Sequence, residues 1–314
     1  MNRRNFVSTL AVVPCALASS GLRAASTPGK RITFGFSTYG MKALKTEAAI
    51  KTLAGIGYDS VELTVWSGWD ADSTKFSKER RKSIRGALEE SGLLLTSFME
   101  KFSNSDKAAD QKLVLDRIRA AADLGRDLSP KHQPLIQSTL SGKKWEDMKE
   151  TYLRQLEQWG AVAAKGRIVV AIKPHRGGAL SRPSEAAWLI EKLGKPKWLR
   201  MCYDYSHYDF RDMPMEDTIK TALPYTSHIA IKDAVMENGK VRFVNPGLGG
   251  RTDYAKLIRL FHAGGYRGDI CCEVSGMVWS KPGYDPVASA KQCYESVAPV
   301  FPKAGIGRIA DKQK

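Results

Sequence analysis

The sequence predicts an α/β fold, specifically a single-domain (β/α)8 TIM barrel. Short apolar runs alternate with amphipathic segments along the chain, and eight such pairs fit within its 314 residues. This alternation is typical of a parallel sheet with right-handed crossovers, and a barrel of this kind usually needs about 250 residues. A doubly wound open sheet is the rival, but the first predicted strand is not followed by the glycine fingerprint that such sheets normally carry.

Each strand candidate is a short apolar run bounded by polar or turn-forming residues. The candidates are 32–36, 60–63, 93–98, 135–138, 167–172, 199–203, 227–231 and 270–273. Each helix candidate has apolar residues at spacings of three and four, and several are followed by glycine. The candidates are 46–55, 78–91, 107–124, 145–164, 184–193, 216–223, 253–263 and 286–300. The stretch around Asn238-Gly239, before the seventh helix, is interpreted as a loop.

The first 25 residues are interpreted as a twin-arginine signal peptide, which leaves residues 26–314 as the barrel. Arg3 and Arg4 precede an apolar run over 6–17 that is too short to span a bilayer, and small residues follow up to Ala25. A non-cleaved anchor or a chance apolar terminus is the alternative. The interpretation predicts a periplasmic or otherwise exported protein with no stable membrane insertion after cleavage.

The charge and composition of the chain limit the classes of molecule that it is expected to bind. The net charge is +16, but the basic residues are dispersed and mixed with acids at helical spacing, which favours solvated helix faces. The sequence has no aromatic nucleic-acid-binding signature, so we expect no nucleic acid partner. The cysteines beyond the signal are interpreted as buried thiols, since no disulfide spacing pattern is present.

Charged residues follow three of the predicted strands. The fifth strand leads into Lys173, His175 and Arg176, the sixth into Asp204 and His207, and the eighth ends at Glu273. Because the carboxyl ends of barrel strands share one rim, we expect these side chains to converge. Burying so many charges is costly, so packing explains them less well than function does.

Each of the remaining candidate residues and segments has two possible interpretations. Glu62 either faces inward as a functional group or forms a salt bridge at the rim. Lys232 either contributes to the site or pairs with Asp233 at the surface. Trp66 offers a flat apolar face for a sugar ring, although tryptophans often serve ordinary packing. The glycine-rich segment 247–250 either cradles a phosphate or forms a turn.

Four short segments occur in order along the chain: 57–63 (GYDSVEL), Asp204-x-x-His207, 228–233 (HIAIKD) and 268–273 (GDICCE). Together they resemble the xylose-isomerase-like barrels, which include sugar (phosphate) isomerases, ketose 3-epimerases, hydroxypyruvate isomerase and inosose dehydratase. The resemblance covers nearly all of residues 26–314. It rests on the order of the segments, since each one is short.

The resemblance implies a divalent metal site that this chain matches only in part. In the ketose epimerases of that superfamily, an ion is held by a Glu after strand five, an Asp after strand six, a His on strand seven and a Glu after strand eight. Asp204 and Glu273 match, which implies Mn, Mg or Zn as the cofactor. Lys173 and Ala230 stand at the other two positions.

Two interpretations follow from this departure. In the first, the Lys173 ammonium replaces the ion, because it supplies positive charge and repels a cation at close range. In the second, an ion lies between Asp204, Glu273 and a histidine, either His175 or His207.

The expected activity is that of an exported sugar isomerase or epimerase that removes a proton next to a carbonyl. The catalytic candidates are Glu273, Lys173 and His207, and the substrate-binding candidates are His175, Arg176, Lys232, Glu62 and Trp66. A lyase or dehydratase that eliminates β to a keto group of an oxidised sugar is the alternative, as is a non-catalytic periplasmic carbohydrate-binding barrel. The expected partner is a small carbohydrate, and the oligomeric state stays open.

Overall fold

Eight parallel strands close into a barrel in the computed structural model, which describes residues 32–308. They follow one another around the barrel in chain order, so the predicted fold is confirmed. They are β1 (Thr33–Ser37), β2 (Ser60–Thr64), β3 (Leu94–Met99), β4 (Leu135–Thr139), β5 (Val170–Lys173), β6 (Leu199–Tyr203), β7 (Thr226–Ile231) and β10 (Asp269–Cys272). The predicted signal peptide lies outside the described residues.

Helices cover the outside of the barrel. They are α1 (Thr46–Ile56), α2 (Lys78–Ser91), α3 (Ala108–Leu128), α4 (Trp145–Gly166), α5 (Pro183–Lys192), α6 (Met215–Ala222), α7 (Tyr254–Ala263), α8 (Gly276–Trp279), α9 (Pro286–Val297) and α10 (Val300–Lys303). Local chemistry sets their ends: the Ser77 side chain caps the start of α2, and Gly92 ends it in the left-handed conformation, with φ of 67°. Within 32–308, no helix combines the length and the apolar character that crossing a membrane requires.

The structure differs from the prediction at several places. The predicted helix 286–300 is divided into α9 and α10, and α8 was not predicted. The segment interpreted as a loop is a hairpin of β8 (Asp233–Glu237) and β9 (Lys240–Val244). Asn238 and Gly239 form its turn with φ of 51° and 70°, because a two-residue hairpin turn of this kind needs positive φ at both positions. The fifth strand begins at Val170 rather than at 167, since Arg167 caps the end of α4 with φ of 53°.

Small residues inside the barrel make room for its charged end. Alternate residues of a strand point to the same side, so each charged residue that ends a strand has an inward-facing neighbour two positions earlier. Those neighbours are Ala171 before Lys173, Cys202 before Asp204, Ala230 before Lys232 and Cys271 before Glu273. All four neighbours are fully buried or nearly so. The space that large apolar residues usually fill is therefore left to the charged side chains.

The main apolar core lies between the outer face of the barrel and the helices. Trp159 of α4 is fully buried there and packs edge-on against Phe102, with ring centroids 5.0 Å apart. We expect Trp159→Ala to lower the free energy of unfolding by about 3–5 kcal/mol, because it leaves a large cavity. Urea unfolding measures this.

The matched control for Trp159→Ala is Leu113→Ala on α3, where the side chain is 56% exposed. We expect this exposed change to alter stability by less than about 0.5 kcal/mol. Equal losses in the two variants would contradict the position of the core.

Candidate active site

Two lysines and two carboxylates meet at the carboxyl-terminal end of the barrel. Lys173 ends β5, while Asp204, Lys232 and Glu273 directly follow β6, β7 and β10. The Lys173 Nζ pairs with Glu273 Oε2 and lies 3.9 Å from Asp204 Oδ2. The Lys232 Nζ pairs with Asp204 Oδ2 and lies 2.9 Å from Glu273 Oε1. These four buried residues are called the lysine–carboxylate cluster.

The pKa values in the cluster follow from its mutual ion pairs. Burial by itself would raise the pKa of Glu273, but Lys173 and then Lys232 outweigh it and lower that pKa to about 2. Burial would likewise raise the pKa of Asp204, yet Lys232 and His207 hold it well below its usual range. Burial would lower the pKa of Lys173, but Glu273 and Asp204 keep it above its ordinary value. Glu273 and Asp204 are therefore ionised and Lys173 is protonated, so two carboxylates face two lysine side chains in the cluster.

Two histidines lie beside the cluster. His207 Nδ1 accepts a hydrogen bond from the backbone N–H of Arg176 at 3.3 Å, so the ring proton belongs on Nε2, which lies 3.3 Å from Asp204 Oδ2. The ring of His175 lies 4.0 Å from that of His207. Burial and then Lys232 lower the pKa of His207 to about 4, and burial and then His207 lower that of His175 to about 2. Both imidazoles are thus neutral near pH 7.

Of the two interpretations of Glu62, the structure favours the inward-facing one, since this buried side chain pairs with His228 inside the barrel. His228 Nε2 is 3.2 Å from Glu62 Oε2, and the Ser97 hydroxyl donates to the same oxygen at 2.8 Å. Burial opposes charge on both groups, but their hydrogen bond lowers the pKa of Glu62 and raises that of His228. This pair supports the barrel interior beneath the cluster, and sequence reasoning did not connect its two members.

An aromatic wall stands on the other side of the mouth. Tyr39 lies at its centre, with ring centroids 5.4 Å from Trp66, 5.7 Å from Trp69 and 5.3 Å from Trp279. The Tyr39 hydroxyl lies against Gly276, three residues after Glu273, so the wall is close to the cluster. In line with this, burial and then the Glu273 carboxylate raise the pKa of Tyr39. The predicted Trp66 is part of this wall, whereas no sequence pattern pointed to Tyr39.

The hairpin covers the His207 side of the mouth. The Phe243 ring of β9 lies 5.0 Å from the His207 ring, and the Lys232 Nζ lies 5.1 Å from the Phe243 centroid. No sequence signal linked this phenylalanine to the site, because the hairpin itself was interpreted as a loop.

The glycine-rich segment 247–250 holds the side chain of Asp233 in place by hydrogen bonds. The backbone N–H groups of Gly247 and Gly249 donate to Asp233 Oδ2 at 2.9 and 2.8 Å, and the Tyr254 hydroxyl donates to Oδ1 at 2.5 Å. Asp233 is therefore a buried acceptor rather than a surface partner of Lys232. Because these amides are already bonded to a carboxylate, the turn interpretation of this segment is correct.

The opposite, amino-terminal end of the barrel has a cavity of about 560 Å³. The buried carboxylate of Asp269 lines it and accepts hydrogen bonds from Thr33, Ser60 and Thr96 at 2.6, 2.5 and 3.0 Å. Those hydroxyls satisfy the carboxylate as part of the barrel floor. The candidate chemistry therefore stays at the carboxyl-terminal end, where active sites of this barrel occur.

The family model described as Xylose isomerase-like TIM barrel matches residues 50–295. The chain belongs to this family. No curated protein sequence matches the chain at a significant level. The family assignment agrees with the closed barrel of the structure.

Solved structures with the same fold have low identity to this chain. The apo form of 3-keto-D-glucoside 4-epimerase from E. coli is 14% identical, with a TM-score of 0.65 over 86% of this chain and 99% of its own. A xylose isomerase-like barrel from Mycobacterium smegmatis in complex with magnesium is 16% identical, with a TM-score of 0.67 over 89% and 99%. A fusion of such a barrel with 4-hydroxyphenylpyruvate dioxygenase is also 16% identical, with a TM-score of 0.67, but this chain (87% aligned) spans only 43% of it.

In this structure, the arrangement of the predicted metal ligands Asp204 and Glu273 does not suit a metal ion. Their facing oxygens are already bonded to the Lys173 and Lys232 ammonium groups, which would repel a cation. A different set, Glu62, His228 and Cys271, brings its ligand atoms within 4.8 Å of one another deeper in the barrel. There, burial and then Glu62 raise the pKa of the Cys271 thiol well above its usual range, which opposes the thiolate that metals bind.

We expect Lys173→Glu to create a divalent metal site that the wild type lacks at the cluster. The change removes one ammonium and adds the carboxylate that the family pattern calls for at this position. Mn²⁺ should therefore raise the Tm of the variant by several degrees, about as expected for a ligand at 100 times its Kd.

Lys173→Gln is the control, because it removes the charge without adding a ligand. An equal Mn²⁺ response in the wild type would show that the lysines do not exclude a metal.

The ion pairs of Glu273 also predict a pH dependence of stability. Its pKa falls from 4.5 to about 2 on folding, so its contribution is complete above about pH 5 and is lost as the pH falls towards 2. The difference in unfolding free energy between wild type and Glu273→Gln should therefore shrink between about pH 5 and pH 3. Urea unfolding at several pH values measures the difference, and a constant difference would contradict the ion pairs.

Proposed function

We propose that this chain is a sugar isomerase or epimerase that removes a proton from the carbon next to a carbonyl. The observation that carries the proposal is the lysine–carboxylate cluster at the barrel mouth, where acids and ammonium groups lie within bonding distance. The family assignment supports a sugar substrate, and the neighbour named 3-keto-D-glucoside 4-epimerase performs an epimerisation on a keto sugar.

In this proposal Lys173 and Lys232 stabilise the oxyanion. Removing a proton next to a carbonyl places negative charge on the carbonyl oxygen, giving an enediolate. The ammonium groups are fixed by Asp204 and Glu273 before substrate binds, so little reorganisation is needed when that charge develops. They supply from within the chain the positive charge that a divalent ion would otherwise bring.

Glu273 is the proposed base. Its pKa of about 2 makes it a weak base while both lysines are bonded to it. A substrate oxygen that accepts hydrogen bonds from Lys173 and Lys232 competes for these donors, so the pKa of Glu273 rises towards the value that its burial favours. Substrate binding therefore activates the base. In an isomerisation, the protonated Glu273 then returns the proton to the other carbon of the enediolate. In an epimerisation, the proton must instead reach the opposite face of the carbon that lost it.

His207 and the aromatic wall are proposed to orient the sugar. The neutral His207 directs its Nε2 proton towards the cluster and can donate to a sugar hydroxyl. His175 and Phe243 fix the position of this imidazole. Tyr39 and Trp66 present aromatic surface, on which the apolar C–H face of a sugar packs well.

The cellular place of this activity is also a proposal. We propose that residues 1–25 export the protein to the periplasm, where its substrate would be a small carbohydrate. Detection of a mature form that begins near residue 26, in the periplasmic fraction of a host with twin-arginine transport, would support it. An uncleaved cytoplasmic product would argue against it.

The proposed reaction predicts exchange of a substrate proton with solvent. A panel of free ketohexoses, 3-keto-glucosides and sugar acids is incubated with the protein in D2O. We expect deuterium to enter the carbon next to the carbonyl of at least one member. Glu273→Gln and Lys173→Met should each lower the rate at least ~100-fold, because they remove the base and an oxyanion donor.

Lys281→Gln, at an exposed lysine beyond α8, is the control and should keep the wild-type rate. A product that gains an ultraviolet-absorbing double bond would identify β-elimination instead. Tight sugar binding with no exchange would identify a non-catalytic carbohydrate-binding barrel.

A further inference from the structure

The guanidinium group of Arg176, at the mouth of the barrel, has a nitrogen without a hydrogen-bond acceptor. Arg176 follows β5, and its backbone N–H bonds to His207 Nδ1. Its Nη1 atom is buried and makes no hydrogen bond. A buried N–H group without an acceptor costs free energy, more so when the group is charged. An acceptor that arrives with a ligand would remove this cost.

A second arginine beside it makes the region electropositive. Arg211 contacts the same residue as Arg176, because its Nη1 donates to the His207 carbonyl oxygen while the Arg176 backbone N–H donates to His207 Nδ1. Burial and then the Arg211 charge lower the pKa of Arg176, and Asp209 opposes them. The chain fixes Arg211 by hydrogen bonds from Nη1 to the carbonyl oxygens of Ser181 and His207, at 2.8 and 3.1 Å. Like charges held together by backbone carbonyls, rather than by an acid, favour an anion between or beside them.

Two acids, Asp209 and Glu185, lie near enough to act on these arginines, but each is bonded to other groups. Glu185 accepts the backbone N–H groups of Ser181 and Arg182. The carboxylate of Asp209 bonds to Arg251 at 3.2–3.3 Å and accepts the backbone N–H of Phe210 at 3.0 Å. Within residues 32–308, neither Arg176 nor Arg211 forms an ion pair with a carboxylate. The arginine pair is therefore a site of uncompensated positive charge at the mouth, whereas the lysine–carboxylate cluster is balanced.

We infer that Arg176 and Arg211 form an anion-binding subsite, so that the sugar substrate carries a carboxylate or a phosphate. The inference rests on the proposed function and names its substrate class. The subsite is one imidazole away from the cluster, because His207 touches both the Arg176 backbone and Asp204. The Arg211 guanidinium also lies at this imidazole residue, since its Nη1 donates to the His207 carbonyl oxygen.

Other parts of the mouth do not offer this recognition. The amides of Gly247 and Gly249 are bonded to Asp233 and are not free for a phosphate. Lys232 is occupied by Asp204 and Glu273. Arginine also suits the task chemically, since its planar fork binds a carboxylate or a phosphate through two N–H groups.

Binding measurements test the subsite without requiring turnover. Calorimetry at low salt compares glucuronate, glucose 6-phosphate and glucose, with inorganic phosphate as the probe for the anion alone. We expect one of the two anionic sugars to bind roughly 10- to 100-fold more tightly than glucose, as a charge-assisted hydrogen bond gives. The preferred anion distinguishes carboxylate from phosphate. Arg176→Gln should remove the preference, and Arg176→Lys should keep part of it.

Arg259→Gln is the control, because Arg259 is an exposed arginine on α7. It should change affinity less than about 2-fold, the level of a screened surface charge. Equal binding of glucose and both anionic sugars by the wild type would overturn the inference. An equal loss in Arg176→Gln and Arg259→Gln would overturn it as well, since it would indicate general electrostatic attraction.

Deuterium exchange separates this inference from the proposed function. Binding of an anionic sugar that depends on Arg176, without exchange, would support the subsite and reject the isomerase. Exchange into neutral sugars at the same rate in wild type and Arg176→Gln would support the isomerase and reject the subsite.

Discussion

The contact between two ammonium groups and two carboxylates organises the carboxyl-terminal end of this barrel. Each of the four residues is buried, and a buried charge without a partner typically costs 3–5 kcal/mol. Lys173 and Lys232 remove that cost for Asp204 and Glu273, and the acids do the same for the lysines. The small residues beneath them give four large side chains the room to meet. Neither the polar mouth nor the small-residue interior would be stable without the other.

The same contact distinguishes this chain from the metal-dependent pattern that its resemblance implies. A divalent ion and a pair of ammonium groups both provide positive charge to an oxyanion, but they need opposite surroundings. An ion needs free carboxylate oxygens, whereas here these oxygens accept hydrogen bonds from lysine. The positive charge is thus encoded in the chain, and it is fixed in place before any substrate arrives.

The mouth divides its tasks among three regions. In the proposed function, the cluster moves the proton and stabilises the developing charge. The wall around Tyr39 and Trp66 offers apolar surface near Glu273. The arginine pair next to His207 is the proposed anion subsite. Each region combines residues from the ends of more than one strand, which the closed barrel brings to one rim.

Sequence patterns were sufficient for the barrel and for part of the site, because both depend on local periodicity. Apolar runs alternated with amphipathic segments, and an acid or a base stood where a strand ended, as at Lys173, Asp204 and Glu273. The parallel arrangement then made one rim the only common place for these residues. The pairing of Lys232 with Asp204 could not be predicted in this way, since a surface ion pair with the adjacent Asp233 explained Lys232 equally well.

The sequence alone determined the fold class and the chemical types present at the mouth, because strand periodicity and strand-end residues are local properties. The tertiary structure decided which groups neutralise each other and which are left without a partner. Lys173 and Lys232 pair with the acids, and Glu62 pairs with His228 inside the barrel. Asp233 accepts hydrogen bonds from the glycine amides. Arg176 was left with an unbonded N–H. Such partnerships depend on distances of a few ångströms between strands that are far apart in the chain, and the free energy of a buried charge depends on those distances.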